Sequence, residues 1–580
     1  MEESKVINLL VGGERFTVKK DMLCEHSDYF RAMFSGSYVE KEKENISINV
    51  LDANSMNIII QYMELGLIDL SEFDLSTIGD LALAANFLQV LELNKQIEYC
   101  LDLLLSPYNW IEIMIIAESS SYNKLEEKCV AYGLYQFKLM KPQCINTVRK
   151  LVWYLSHSQL NADTELEVFQ FGLDWIIHKE TGADALLIIL GCLDTSRISK
   201  EDIDKMAELI RDYVNSLAEK VIYCLRTLVH QFSLNIISIM DNRDYLCEMY
   251  SVRVYNEVVN LVSNSKKRYL LFKPCVALWA NDKGGSGSSV MPHYLHVFHE
   301  DKFNRWLEVA QKDLWGWNVV NWGPTKIVIV CGEHGRGTGY FWKGLKVYDT
   351  LTKEWTDHGV ELPIRRHGGV AIVDNSLYIF GGVGGYRVIL DTAIIYDLKQ
   401  QTFRSIAKFP DAIQTPGVCT HNNVVYGAGH KNIYYYEDNG ESDRWVQVLE
   451  TNIRPTCMLS YKGYIYCIQN YFNNLYRFKP KVDTTLETIT YFSNSPSTLC
   501  YMNQKLLAFT NANVTQSNLI TVEEYDHSSE NPQIRWSKTH CEFTINDVAG
   551  SCVILDTVPS ISNEFSTYLQ RYISAYENCH

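Results

Sequence analysis

The chain has 580 residues, too many for a single hydrophobic core, and its 47% hydrophobic and 21% charged residues are those of ordinary folded protein. A net charge of −16, with Lys266, Lys267 and Arg268 as the longest basic cluster, argues against nucleic acid, whose binding requires phosphates to be neutralised. The start from Met1 to Val6 is no secretory signal and the most apolar stretch, 183–193, is about half of a membrane span; the 16 scattered cysteines form no CxxC pair, so zinc-knuckle and dithiol chemistry are not expected.

Residues 1–105 read as mixed α/β. Val6 to Leu10 and Arg15 to Val18 flank Gly12-Gly13, which predicts two short strands around a glycine turn. Ser27 is placed to cap a helix carrying Phe30, Met33 and Phe34 on one face. Asn54 or Ser55 is the expected cap of the next, whose stripe Met56, Ile59, Ile60, Met63 has helical spacing and ends at Gly66. Residues 106–262 continue as helix after helix, with the stripe Phe169, Leu173, Ile176, Ile177 behind a capping-box pattern at Thr164 and Glu167. Such a run without strands suits a spacer or bundle rather than a catalytic α/β core.

From residue 266 the texture changes to short apolar alternations broken by Gly, Asn, Asp and Pro. Leu377-Tyr378-Ile379-Phe380-Gly381-Gly382 is the best-formed copy of a repeated strand that ends in a small pair. The second slot of the pair falls at Asn281, Gly332, Gly382, Gly429, Asn470 and Asn511, with spacings of 51, 50, 47, 41 and 41 residues. Gly and Asn tolerate positive φ best, so one backbone geometry is expected at all six. Each slot is followed by a large aromatic, in order Trp306, Trp355, Phe403, Trp445, Tyr491 and Trp536, expected to wedge between neighbouring sheets. Ser551 to Leu555 matches Gly369 to Val373, so the last strand is expected to complete the first unit and close a ring. Phe565, Tyr568, Leu569 and Tyr572 have the spacing of a short amphipathic helix, expected to pack on that ring.

These motifs resemble the BTB–BACK–Kelch family. Diglycine followed by Tyr-x6-Trp (Tyr348 to Trp355; Tyr396 to Phe403) is similar to the Kelch repeat, and Ser27-Asp28-Tyr29-Phe30-Arg31-Ala32-Met33-Phe34 and Ala84-Ala85-Asn86-Phe87-Leu88-Gln89 resemble BTB segments. Leu155 to Asn161, with Glu165, Val168, Phe169 and Leu173 to Ile176, resembles the BACK domain. The resemblance implies a multidomain α+β chain: BTB/POZ domain 1–105, all-α BACK domain 106–262, six-bladed Kelch β-propeller 266–556 and tail 557–580.

It further implies a non-catalytic substrate adaptor of a cullin-3 ubiquitin ligase, without cofactor or metal, working in the cytoplasm. The cullin-3 contact would be made by Phe34, Tyr38, Val39 and Glu40. A protein substrate would sit at the propeller mouth on His334, Arg336, Arg366, Tyr386, Arg387, His430 and Arg454, arginine favouring anionic partners. Phe16-x-Val18-Lys19-Lys20 departs from the family's F-x-A-H-R, and no counterpart of the N-terminal helix that relatives exchange is seen, which argues against the usual homodimer. The competing reading is a cytoskeletal, actin-associated or scaffolding Kelch protein, since one fold serves both uses. A Kelch-like copper enzyme would need His293, His296 and His299, whose spacing does not suit a blade strand. The run from Gly332 to Gly339 is read as a flexible loop rather than a phosphate cradle.

Overall fold

The computed structural model describes residues 5–35, 43–268, 272–280, 293–299, 301–310, 314–502, 505–514, 517–526, 531–539, 543–553 and 565–579. The chain divides into two compact units, Met1–Leu270 with Leu555–His580, and Leu271–Ile554.

The first unit begins with the hairpin Val6–Val11 and Glu14–Lys19, joined by Gly12 and Gly13 at φ of 55° and 85°. Two consecutive left-handed residues give a turn whose twist matches the strands it joins. Ile7, Leu9 and Val11 are buried along one face, and Asn45–Ile48 adds in parallel to the same strand. Ser27 lies between helices Lys20–His26 and Asp28–Ser35, and its Oγ accepts from the Phe30 amide at 3.2 Å as expected of a cap. The helix Ala53–Leu65 is capped two or three residues earlier than the sequence suggests: the Asp52 carboxylate, not Asn54 or Ser55, accepts from the Ser55 amide. Gly66 ends it at φ 74°.

Every described element from Trp110–Ser119 to Val252–Ser263 is helical, and none of the described helices is long and apolar enough to cross a membrane. The tail does form a helix, Thr567–Cys579, but it does not lie on the ring. Within the first unit it packs on the helix Asp184–Gly191, with Tyr568, Leu569 and Ile573 buried. A Cβ at Gly191 would come within 2.7 Å of Leu569, so glycine is what allows the close approach. An amphipathic stripe states that a face is buried; it does not name the surface that buries it.

Among the described residues the second unit holds six four-stranded antiparallel sheets and one two-stranded sheet, Leu314–Trp315 with Glu333–His334. The innermost strands of the six are Phe543–Val553, Asn318–Trp322, Gly369–Val373, Val418–His421, Cys457–Tyr461 and Pro496–Met502. Each touches the next, and Pro496–Met502 returns to Phe543–Val553, so the sheets form a closed six-bladed propeller. Phe543–Val553 pairs with Phe272–Ala280, the last strand thereby completing the first blade; Ile554 and Leu555 lie outside the described residues.

An apolar cluster fills each of the six gaps between neighbouring blades. All six slot aromatics stand on the outermost strand of their blade. They are not equivalent. Trp445 packs on Phe380 and Phe409 at 4.9 Å and donates its Nε1–H to the Ala407 carbonyl, and Trp306 meets Tyr348 edge-on at 5.6 Å. Phe403 and Tyr491 are 40% and 61% exposed and wedge nothing. Trp445→Ala is therefore expected to cost about 3 kcal/mol of propeller stability and Tyr491→Ala under about 0.5 kcal/mol, to be read by urea unfolding of the two variants in parallel.

The expected common left-handed turn is corrected as well. Gly332 and Gly382 take φ of 119° and 91°, but in the fifth blade the left-handed residue is Tyr471, one position past Asn470. Asn511 lies inside the strand Lys505–Val514 opposite Ile520, where the chain stays extended, and Asn281 is outside the described residues. At Gly429 the constraint is space, since a Cβ would fall 1.9 Å from the Asp411 carboxylate.

Candidate functional site at the propeller mouth

Within each blade the connection from second to third strand and the connection on to the next blade emerge at the same end of the ring. The connections of the second and third blades, 331–344 and 381–392, are long, whereas 429–431 and 469–473 in the fourth and fifth are short. Among these four blades the mouth thus carries more chain over the second and third than over the fourth and fifth.

Glu333 organises that side. Its side chain is 1% exposed and accepts from the amides of Gly337 (3.1 Å) and Gly339 (2.5 Å) and from Arg366 Nη1 (2.7 Å). The glycine run expected to be a flexible loop is instead wrapped around an internal carboxylate, the arrangement of an anion-binding nest already filled. Glu333 was missed in the sequence, although an acid two positions before a Gly-x-Gly-x-Gly run is the signal that could have disclosed it.

Two expected mouth arginines are consequently committed elsewhere. Arg366 is buried in the pair with Glu333, its guanidinium 4.8 Å from the Trp315 ring, and its backbone is bridged to Val383. Arg454 is half-buried and donates from Nη2 to the Gln414 carbonyl, holding one interblade connection against the next. Neighbouring Arg365 is 1% exposed and donates to the Gly381 and Thr392 carbonyls. His367 meets Trp315 edge-on at 4.5 Å, and burial, reinforced by Arg366, pushes its imidazole down to about 4, so the ring is neutral near pH 7.

The remaining mouth residues fall into two groups. His334, Arg336, Tyr386 and Arg387 are exposed, and the structure brings them together. Arg336 lies 5.3 Å from the Trp315 ring, and Arg387 Nη2 would be 3.6 Å from a Cβ on Gly337, so the two long connections meet. His334 packs against Tyr340. His430 is exposed but apart on the fourth blade, its amide held by Asp411 and its ring by the Ala412 carbonyl.

In the N-terminal region Phe34 is a core side chain, 6% exposed, stacked on Phe30 with Lys20 Nζ 4.4 Å from its ring. Its role is to hold the helix Asp28–Ser35 in place. Tyr38, Val39 and Glu40 lie outside the described residues. His293, His296 and His299 fall on one strand of the first blade, and among the described residues no group of His, Cys, Asp and Glu is arranged to hold a metal.

Residues 7–103 match the BTB/POZ domain model and residues 364–410, from just before the third blade to just after it, match the Kelch motif. The chain joins a BTB/POZ domain to a Kelch motif. It is 28% identical over 181 residues to Kelch-like protein 15 of Gallus gallus, an alignment covering 30% of this chain and 36% of that one. Kelch repeat and BTB domain-containing protein 8 of Xenopus tropicalis is 25% identical over 185 residues, 31% of this chain and 30% of the relative. Kelch-like protein 9 of Mus musculus is 21% identical over 411 residues, 68% of this chain and 53% of the relative. The matched part of the chain spans about a third of the length of the Kelch-like 15 proteins. Its buried thiols have no nucleophilic character: burial pushes those of Cys129, Cys192, Cys224 and Cys331 up to about 12, the reverse of what a reactive thiolate requires.

Proposed function

We propose that this protein is a non-catalytic adaptor of a cullin-3 ubiquitin ligase, acting in the cytoplasm. The BTB domain and the first helices of the middle region, which correspond to a BACK domain, bind cullin-3, and the propeller mouth holds a protein to be ubiquitinated. The observation that carries this reading is the joining, in one chain, of a BTB domain at 7–103 to a six-bladed ring with long connections at its mouth. An adaptor needs those two binding surfaces and no reaction centre.

Tyr38 supplies an apolar anchor for the cullin contact and Glu40 a charge for its polar rim. The test is a pull-down of purified cullin-3 by the full chain and by a Tyr38→Ala, Glu40→Ala double variant. Capture by the native chain and a drop of about tenfold or more in the variant is the expected result. Failure of the native chain to capture cullin-3 overturns the ligase role and leaves a scaffolding Kelch protein.

A further inference from the structure

Among the described residues, the connections that form the mouth carry a charge opposite to that of the whole molecule. Segments 331–344, 359–368, 381–392, 407–417, 429–431, 451–456 and 469–473 together contain eight Lys or Arg and four Asp or Glu, against 53 and 69 in the chain. The four acids are already occupied. Glu333 pairs with Arg366, Glu361 with Lys343 at 2.9 Å and Asp391 with Lys408 at 3.0 Å, while Asp411 accepts the His430 amide. Arg365 and Arg454 are spent on backbone carbonyls. Arg336, Arg387 and Lys431 are left exposed, without a carboxylate partner among the described residues; the two arginines stand on the connections that meet at Gly337, and Lys431 stands apart on the fourth blade.

Beside them lies apolar surface that nothing covers in the described residues. Ile364, Val388 and Ile389 are 38%, 56% and 49% exposed and Tyr386 is fully exposed; Ile364 Cδ1 reaches within 3.6 Å of a Cβ placed on Gly385, which joins the connections of neighbouring blades into one patch. Tyr386 and Arg387 take φ of 54° and 61° at the tip of a turn closed by the Gly384 amide to the Val388 carbonyl and by the Val383–Ile389 bridge. Two consecutive non-glycine residues in the left-handed region are strained, and the strain holds both side chains outward.

We propose that the partner is read on one side of the mouth, by the second and third blades, as an acidic peptide segment. Its carboxylates are received by the forks of Arg336 and Arg387, and an apolar side chain beside them packs on the Ile364, Tyr386, Val388 and Ile389 patch. The molecule's own Glu333 sets the precedent, as a carboxylate taken by an arginine and loop amides of the same connections. This inference rests on reading the mouth as the partner site and adds the chemistry and the side.

Panning the full chain against a random dodecapeptide display library tests it. The recovered peptides are expected to be enriched in Asp and Glu next to Leu, Ile or Phe. A synthetic copy of the leading peptide is expected to bind about tenfold or more weakly to an Arg336→Glu, Arg387→Glu variant and to lose binding when its acids become Gln or Asn. Lys431→Glu, on the fourth blade, is expected to leave it unchanged. Both sites are exposed, and melting temperatures equal to that of the native chain establish that the variants fold. Peptides without acidic enrichment, no recoverable peptide, equal binding of the amide version, or loss with Lys431→Glu overturns the proposal. A phosphoserine copy that binds where the acidic peptide does not overturns the choice of carboxylate. Each of these results leaves the cullin-3 pull-down, and with it the adaptor reading, standing separately.

Discussion

Replacing Arg268 by alanine is expected to lower hydrogen-exchange protection in the helices Glu165–His178 and Asp184–Gly191 by about two to four orders of magnitude, equivalent to about 3–5 kcal/mol. The Arg268 side chain is 2% exposed and that of Glu165 is not exposed at all, with Nε and Oε1 2.8 Å apart. The same guanidinium donates to the carbonyls of Leu155, His157 and Cys192, and the Arg268 amide donates to Asp194. One planar fork therefore serves four acceptors contributed by separate helix ends. Taking it away leaves a buried carboxylate with Arg197, 3.5 Å off, as its remaining cation, and three carbonyls to be satisfied by water that has little room.

The conservative variants separate charge from geometry. Arg268→Lys keeps the charge, but a single ammonium cannot reach acceptors spread around a plane, so a loss between native and alanine is expected. Replacing Arg268 and Glu165 together by methionine removes the ion pair but leaves the carbonyls and the Asp194 amide, which Glu165 Oε2 accepts at 3.0 Å, so recovery is expected to be partial. A loss under about 1 kcal/mol in the alanine variant would mean that water already reaches the pair.

This network also marks where sequence reasoning stopped. Lys266 to Arg268 reads as a basic run, and nothing local discloses that one of the three is the most buried cation of the helical region, because its partner stands 103 positions earlier. Arg366 fails in the same way: its place ahead of a blade's first strand is legible, but the partner that withdraws it from the mouth lies 33 residues back on another connection. Signals that repeat or act locally were legible. The recurrence of one large aromatic per blade, the closing strand matched to Gly369 to Val373, the Ser27 cap and the Gly66 stop all follow from spacing within one element or between repeats. The shift of a helix cap from Asn54 to Asp52 shows the remaining slack, since Asp, Asn and Ser compete for the role within one turn and only the backbone path selects among them. The exposed patch by Tyr386 was half legible: the two side chains at the tip were picked out, but Val388 and Ile389 were not, since only the turn shows that they face outward.

The tail gives the second large effect. Tyr568→Ala is expected to detach the helix Thr567–Cys579 and to destabilise the first unit by about 3–5 kcal/mol. Tyr568 is 5% exposed, its ring packs at 5.1 Å on that of Tyr572, and Leu569 and Ile573 share the buried face. Polar contacts fix the register. Arg571 reaches the carboxylate of Glu257, itself 5% exposed, at 2.9 Å, and Arg149 holds Glu577 through two bonds of 2.7 Å. The Arg149 pair is partly exposed and contributes little stability, but the Glu257 pair is different, because losing Arg571 strands a buried carboxylate. Arg571→Glu should therefore approach the alanine effect at Tyr568, and adding Glu257→Arg to it should restore part of the loss, whereas Arg149→Ala alone should change little. Cys192 offers a local readout, being 3% exposed with its thiol pushed up to about 12 by burial, and close enough to Tyr568 for the two groups to interact electrostatically. Once the helix leaves, alkylation of Cys192 should accelerate by about tenfold or more while Cys129, buried in the helix Asn123–Tyr135, stays protected. Unchanged Cys192 reactivity together with an unchanged melting temperature in the Tyr568 variant would refute the docking. If the docking holds, the helical unit is completed only by residues synthesised after the whole propeller, so any chain truncated within the ring must also lack a finished N-terminal unit.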